Sequence, residues 1–391
     1  MISGPLFGVL ALLSATGPFA IDMYLPSMPM ILEDLGATRS GVQLTMSGFF
    51  IGMGLGQLII GPLSDAIGRK PLLISGTALA FAACVMAALS PSIGVLIAAR
   101  VLQGLGGGAC VVLARSVVSD LLSGKSAAKA FSLLMALQGI APALAPVVGG
   151  LLVGPVGWRG IFWVLAVLHA AQMVLAWALV PETAGGRARD QLLRRVAGNY
   201  AAVLRNPHVW GFMVTMAFGF CAMFSYIAGS AFVIQQQWGF SPTAYSLIFG
   251  LNALGIFLAT LINSKLLNTV SPATMLRAGV FLSLGSCSAL LLTIVLGAPV
   301  WLSLIVLFFC VGPTGFIMGN SIALATGLMR EKAGSVSAVM GFGQALLSSV
   351  ISPMMGLGSN PALTMSVGMV ACAAIAVCGM LYATTRPQPQ R

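Results

Sequence analysis

Twelve apolar stretches, each about as long as a helix that crosses a bilayer, decide what this chain can fold into. A hydrocarbon core of roughly 30 Å takes about 20 helical residues. By that measure the stretches fall at about 5–28, 40–62, 72–90, 93–117, 128–153, 158–180, 208–234, 242–266, 273–296, 299–326, 333–356 and 361–384. Charged residues make up 7% of the 391, against ~25% in a typical soluble domain. That is too little polar surface to cover a water-soluble fold. The sequence predicts an all-α integral membrane protein with twelve transmembrane helices.

The formal net charge of +11 does not point to nucleic acid, because no basic face interleaved with aromatics is present. Lys and Arg lie between the apolar stretches instead, where they set orientation. With the N-terminus in the cytoplasm, sixteen of the nineteen basic residues fall on the cytoplasmic side. Arg39 and Arg159 fall outside, and Arg100 lies within a span. Both termini are therefore expected in the cytoplasm. Residues 1–5 carry no Lys or Arg and lead into a run long enough to span, so no cleavable signal is expected. The seven cysteines sit in apolar runs without metal-ligand spacing and read as small apolar residues.

The one sizeable polar segment, 181–207, divides the spans six and six. The expected domains are a six-helix bundle at 1–180, a cytoplasmic linker at 181–207 and a second six-helix bundle at 208–391. Within the linker, LLRRVAGNYAAVLR has the make-up of a short amphipathic helix on the inner leaflet. Span 2 (FFIGMGLGQLIIGPLSD) and span 8 (LIFGLNALGIFLATLINSK) place glycines similarly, as a duplicated architecture would.

Two charges lie deep in the spans. A carboxylate or guanidinium there costs about 2.5–3.5 kcal/mol on insertion scales, so each needs a partner or a task. Asp22 stands in GPFAIDMYLPSMP near the outer end of span 1, and Arg100 stands in LIAARVLQGLGGGA of span 4. Span 1 runs outward and span 4 inward, which puts both roughly 6–10 Å from the outer edge at helical rise. The pair is the expected centre for proton coupling and substrate. Arg100 has a second reading, bracing the bundle through backbone carbonyls.

The connection of spans 2 and 3 reads GPLSDAIGRKP at 61–71. Gly61 allows close helix approach, Gly68 allows a positive-φ turn, and Asp65, Arg69 and Lys70 set opposite charges beside it. Span 5 reads LQGIAPALAPVVGG, where Gly139, Pro142, Pro146, Gly149 and Gly150 give a bent, closely packing helix.

These motifs resemble the major facilitator superfamily: the loop G-x-L-x-D-x-x-G-R-K, R-x-x-Q-G at Arg100, Gln103 and Gly104, and an antiporter motif in span 5 with Ala145 in place of a glycine. IDMYLPSMP, GPLSDAIGRKP, APALAPVVGG with GWRGIFW, and FGLNALG are similar, in order, to the bicyclomycin-resistance type of drug:proton antiporter. Two departures are Ser119 before Asp120, where that group often has Arg, and Ser14, where some multidrug exporters carry a second acid. The resemblance implies the major facilitator fold of two six-helix bundles in a bacterial cytoplasmic (inner) membrane, working as a monomer. It implies a cytoplasmic gate of Gly61, Asp65, Gly68, Arg69, Lys70, Arg115 and Asp120, with Arg69 paired to Asp120 and Asp65 facing the N-terminal end of span 11.

Uncharged polar groups in the spans, Gln43, Tyr226, Asn252, Asn320 and Gln344, are interhelical hydrogen bonders or pathway residues. Tyr24, Met46, Phe220 and Phe224 are the further candidates for a substrate cavity. His169 reads as a packing residue, and His208 marks a helix end. The function expected is proton-coupled efflux of small amphipathic compounds, antibiotics such as bicyclomycin or phenicols, by alternating access. It needs no cofactor beyond a proton gradient; its partners are the substrate, protons and lipid. Alternatives are a proton-coupled exporter or importer of a metabolite, or, from another class, a membrane sensor or enzyme. An enzyme would be expected to cluster catalytic groups, and the two histidines and eight acids form no such motif.

Overall fold

The computed structural model describes residues 3–183 and 198–385, apart from the side chains at 124, 125, 128, 132, 135, 136 and 139. Lys125 and Gly139 are described only as helical backbone, and Arg187, Arg189, Arg194, Arg195, Arg386 and Arg391 lie outside the described residues, as does 192–197 of the anticipated inner-leaflet helix.

Every regular element among the described residues is helical. Span 1 is assembled from pieces: α1 (Gly4–Ser14), α2 (Thr16–Asp22), a 3₁₀ turn (Leu25–Ser27) and α3 (Met28–Asp34). There follow α4 (Arg39–Ile67), α5 (Arg69–Ala88), α6 (Ile93–Leu121) and α7 (Gly124–Leu179). A short helix, α8, occupies 198–204. After it come α9 (Pro207–Ala231) with a π turn (Phe232–Gln237), α10 (Pro242–Leu266), α11 (Pro272–Val295), α12 (Val300–Val311), α13 (Thr314–Leu328), α14 (Ala333–Met354) and α15 (Pro361–Thr385).

Eleven continuous segments are long and apolar enough to cross a membrane. The twelfth crossing comes from α7. Its 56 residues would run about 84 Å as a straight helix, far beyond a bilayer core of roughly 30 Å. Gly157 interrupts it at φ 66°, ψ −179°, a conformation open to glycine and strained for other residues. Added side-chain bulk there would meet nothing within 4 Å, so conformation, not space, requires the glycine. Spans 5 and 6 therefore meet at Gly157. Span 10, expected as one stretch, divides into α12 and α13 because Pro313 supplies no N–H to continue the ladder.

The chain forms two compact units, Met1–Arg195 with Pro242–Gly250, and Val196–Ser241 with Leu251–Arg391. In the first, Leu6, Leu10 and Leu13 of α1 pack with Leu73 of α5, Leu113 and Val117 of α6, and Leu134 of α7. In the second, Phe212 and Met216 of α9 pack with Val280 of α11, Ile317 of α13, Met340 of α14 and Met380 of α15. Large apolar side chains such as Val167, Trp177 and Leu282 remain exposed; lipid is the solvent that suits them.

A close helix approach in the first unit joins α4 to α6. A Cβ at Gly52 would fall 2.0 Å from the Val101 carbonyl oxygen, and one at Gly104 would fall 2.1 Å from that of Phe49. Small residues at this seam let the backbones touch. The seam carries Phe49 of α4 onto Arg100 of α6.

Candidate functional site

The broken first span is what positions Asp22. Pro18 has no N–H, so the Ser14 carbonyl loses its helical donor. Gln138 of α7 replaces it, its Nε2 donating to Ser14 O at 3.1 Å. Gln172, also on α7, donates from Nε2 to Leu12 O and to Thr16 Oγ1, both at 2.9 Å. Two glutamines thus satisfy the backbone that the break exposes. Asp22 is the last residue of α2 and is 5% exposed. Among the described residues its carboxylate makes no hydrogen bond and no ion pair with any base, Arg100 included.

Arg100 is completely buried. Its Nη1 donates to Ala20 O at 2.8 Å and to Gln103 Oε1 at 2.6 Å. Its guanidinium carbon lies 4.6 Å from the Tyr24 ring centre, 4.5 Å from that of Phe49 and 5.9 Å from that of Phe162. Gln103 passes the chain on, donating to Cys84 Sγ at 3.1 Å, while Tyr24 and Thr45 share a hydrogen bond of 2.8 Å. The cation is caged by aromatic faces rather than neutralised by an acid. Desolvated cation–π contacts contribute about 2 kcal/mol, which offsets part of the several kcal/mol that burying a guanidinium costs. Nε and Nη2 remain buried without hydrogen-bond partners. Arg100 of α6 therefore binds α2 at the Ala20 carbonyl, two residues before Asp22, and the two charges are not an ion pair in this structure.

The remaining pathway candidates divide between the units. Gln43 and Met46 are buried in α4. In the second unit Phe220 and Phe224 stack with ring centres 5.8 Å apart. Asn252 donates to the Tyr226 hydroxyl at 2.9 Å. Asn320 donates to Asn263 Oδ1 at 2.8 Å and to Phe316 O at 2.7 Å, and Gln344 is half-buried. His169 is buried with Nδ1 2.8 Å from Gln172 Oε1, which makes it part of the network that holds span 1. His208 lies at the start of α9.

The expected gate residues meet around Arg69. Its guanidinium contacts Asp65 and Ser64, and Nε lies 3.0 Å from Asp120 Oδ2. Gly61 O accepts from Nη1 at 3.5 Å. Gly68, at φ 119°, turns the chain between α4 and α5. Because the N-terminus of α5 has no side-chain cap of its own, Glu182 serves from the far end of α7. It accepts from the N–H of Arg69 at 2.8 Å and of Lys70 at 3.2 Å, a placement that the positive end of the helix dipole favours. Thr183 donates to the same Asp120 oxygen at 2.7 Å. Arg115 does not join this cluster: its Nη2 donates to Gln138 Oε1 at 3.0 Å.

Of the span 5 motif, Pro142 and Pro146 lie inside α7. Gly149 abuts the backbone just past Asp22, where a Cβ would fall 1.9 Å from Met23 O. Gly150 faces the Pro242–Gly250 segment of the same unit, and a Cβ there would fall 2.1 Å from Ser246 Oγ. At the C-terminal end of span 1, Asp34 pairs with Arg159 and accepts from Trp158 Nε1 at 3.1 Å. Phe49, Phe162, Gln138, Gln172 and Glu182 were not among the candidates. The glutamines could have been flagged as polar groups inside spans 5 and 6, and Glu182 by its place directly after span 6.

Twelve membrane crossings, with a buried acid and a caged cation in the first unit, define the class, a membrane transporter. The family model of the Major Facilitator Superfamily matches residues 10–353, and the chain belongs to that superfamily. It is 35% identical over 374 residues to YdgK of Bacillus subtilis (strain 168), an uncharacterized MFS-type transporter, covering 95% of this chain and 92% of that one. It is 30% identical over 380 residues to a bicyclomycin resistance protein homolog of Haemophilus influenzae, covering 96% and 95%. Among solved structures, a bacterial homolog of the human lysosomal transporter Spinster superposes with a TM-score of 0.75 at 17% identity, covering 97% of both chains. A D-xylose-proton symporter does so with a TM-score of 0.71 at 16% identity, covering 99% of both.

Proposed function

We propose that this transporter exports small amphipathic compounds, of the kind represented by bicyclomycin and the phenicols, in exchange for protons by alternating access. The observation that carries the reading is Asp22, a carboxylate buried without hydrogen bond or ion pair at the end of a broken helix. The ionisation of Asp22 depends on its solvation and on its distance from the Arg100 charge, which is held at the Ala20 carbonyl. Exposing the site to either side of the membrane changes both, so proton affinity follows conformation. Asp22 takes a proton from outside and releases it inside as substrate binds near Asp22 and Arg100. The names of the bicyclomycin and multidrug resistance relatives and the span 5 skeleton at Gly149 favour export over import.

The same reading divides the chain at 1–180, 181–207 and 208–391, with both termini cytoplasmic, and places a monomer in the bacterial inner membrane. The test is proton-driven drug transport in proteoliposomes. Asp22→Asn is expected to retain folding and drug binding while losing uphill transport; wild-type coupling in that variant overturns the assignment.

A further inference from the structure

Arg115 is a second cation held among apolar helices of the first unit, fifteen residues and about 22 Å further along α6 than Arg100. Four acids of the first unit are engaged elsewhere. Asp65 and Asp120 pair with Arg69, Glu182 accepts from the α5 N-terminus, and Asp34 pairs with Arg159. Among the described residues no acid lies within 4.0 Å of Arg115. Its Nη2 donates to Gln138 Oε1, and Gln138 in turn donates to the Ser14 carbonyl. Two polar atoms of this group are left over: Arg115 Nε and Ser14 Oγ are buried without partners. Ser14 itself is 1% exposed.

A guanidinium without a counter-charge in an apolar setting is unfavourable unless something else supplies the acceptor. Arg100 solves the problem with three ring faces. Arg115 has no ring contact among the described residues; the residue is half-buried while its Nε is enclosed, so a ligand oxygen reaches that atom as the helices part during the transport cycle. Its chain neighbour Ala114 and the neighbour of Ser14, Leu13, belong to the apolar core. An acidic oxygen attached to an apolar body suits this combination of one cation, one hydroxyl and aliphatic walls.

We propose that Arg115, Ser14 and Gln138 form a second cargo-binding station, separate from Asp22, which takes the carboxylate class of oxygen on a monoanionic or zwitterionic amphiphile. The proposal rests on the export reading and narrows its substrate class. Arg115 Nε and Ser14 Oγ donate to the ligand oxygen, while Gln138 holds the guanidinium in place from behind.

The probes are 2-naphthoate and its near-isostere 2-naphthamide, titrated by calorimetry into the full chain in phosphatidylcholine nanodiscs, without a proton gradient. The wild type is expected to prefer naphthoate by about tenfold, the value of one charge-assisted hydrogen bond. Arg115→Gln is expected to lose that preference while keeping its affinity for the amide. Arg115→Lys, which keeps the charge, is expected to retain part of the preference and serves as the folding comparison. Equal affinity for the two probes in the wild type, absence of binding by either, or a preference that survives Arg115→Gln overturns the station. Displacement of naphthoate by phosphatidylglycerol added to the discs assigns the group to a lipid headgroup and overturns the cargo assignment. None of these readouts involves coupled transport, so failure here is distinct from failure of the Asp22→Asn test.

Discussion

Gly149 of α7 sits against the carbonyl of Met23, so close that a Cβ at 149 would lie 1.9 Å from its oxygen. The backbone of span 5 thereby rests on span 1 one residue beyond Asp22. A glycine that looks like ordinary membrane-helix composition is in fact the bearing on which the acid is seated.

Gly149→Ala is expected to push α7 away from α2 or to displace Met23, because the obstacle is backbone and cannot rotate aside. Transport should fall at least tenfold, and Gly154→Ala, where nothing lies within 4 Å, should behave as wild type. Comparing drug efflux from cells expressing equal amounts of each variant checks this; equal efflux would show that the contact is dispensable.

The caged guanidinium predicts coupling between Arg100 and its rings. Phe49→Leu removes one face at 4.5 Å and should cost about 1–2 kcal/mol beyond the packing loss when the cation is present. In an Arg100→Gln background the same change should cost only the packing loss. A double-mutant cycle on thermal unfolding in detergent measures the difference, and additivity would remove the cation–π account.

Gln172→Leu leaves the Leu12 carbonyl and the Thr16 hydroxyl without their shared donor. Hydrogen bonds between membrane helices average about 0.6 kcal/mol, so two of them predict a loss of about 1–2 kcal/mol. His169 would lose its only hydrogen bond among the described residues at the same time. Unfolding in mixed micelles should show the drop, and Gln172→Asn should show the same sign because its shorter chain falls short of the carbonyl.

Glu182 is exposed, so its cap on α5 is a modest contribution. Glu182→Ala should destabilise by about 0.5–1 kcal/mol, and Glu182→Gln, which keeps an acceptor for the N–H groups, by less. Hydrogen exchange at Arg69 and Lys70 amides reads the cap directly: faster exchange in Glu182→Ala and near-normal exchange in Glu182→Gln is the expected order.

Spans and the two intramembrane charges were legible because charge scarcity and helix length act locally along the chain. The meeting of Arg69 with Asp120, fifty-one residues apart, could be anticipated only from the resemblance. The break in span 1 announces itself through Pro18, Pro26 and Pro29, but what mends it does not. Gln138 and Gln172 lie more than a hundred residues away, and nothing in their own neighbourhood says which carbonyl they reach. The cage around Arg100 was hidden for the same reason. Phe49 and Phe162 look like lipid-facing filler until helix rotation turns them inward, and rotation is set by glycine seams such as Gly52 and Gly104 that only pairing of distant helices reveals. Gly157 could be read as a turn glycine; that it joins two spans without a loop could not.

The cap that Glu182 places on α5 also imposes an order in time. The residue that completes the start of the third span is made only after the sixth has been synthesised. Until then the amides of Arg69 and Lys70 have water as their partner, and Asp120 lacks the Thr183 hydroxyl. The rim of the first unit around Arg69 is thus a clasp that the ribosome closes last, and a nascent chain released before Glu182 would hold six spans whose ends have not yet been tied.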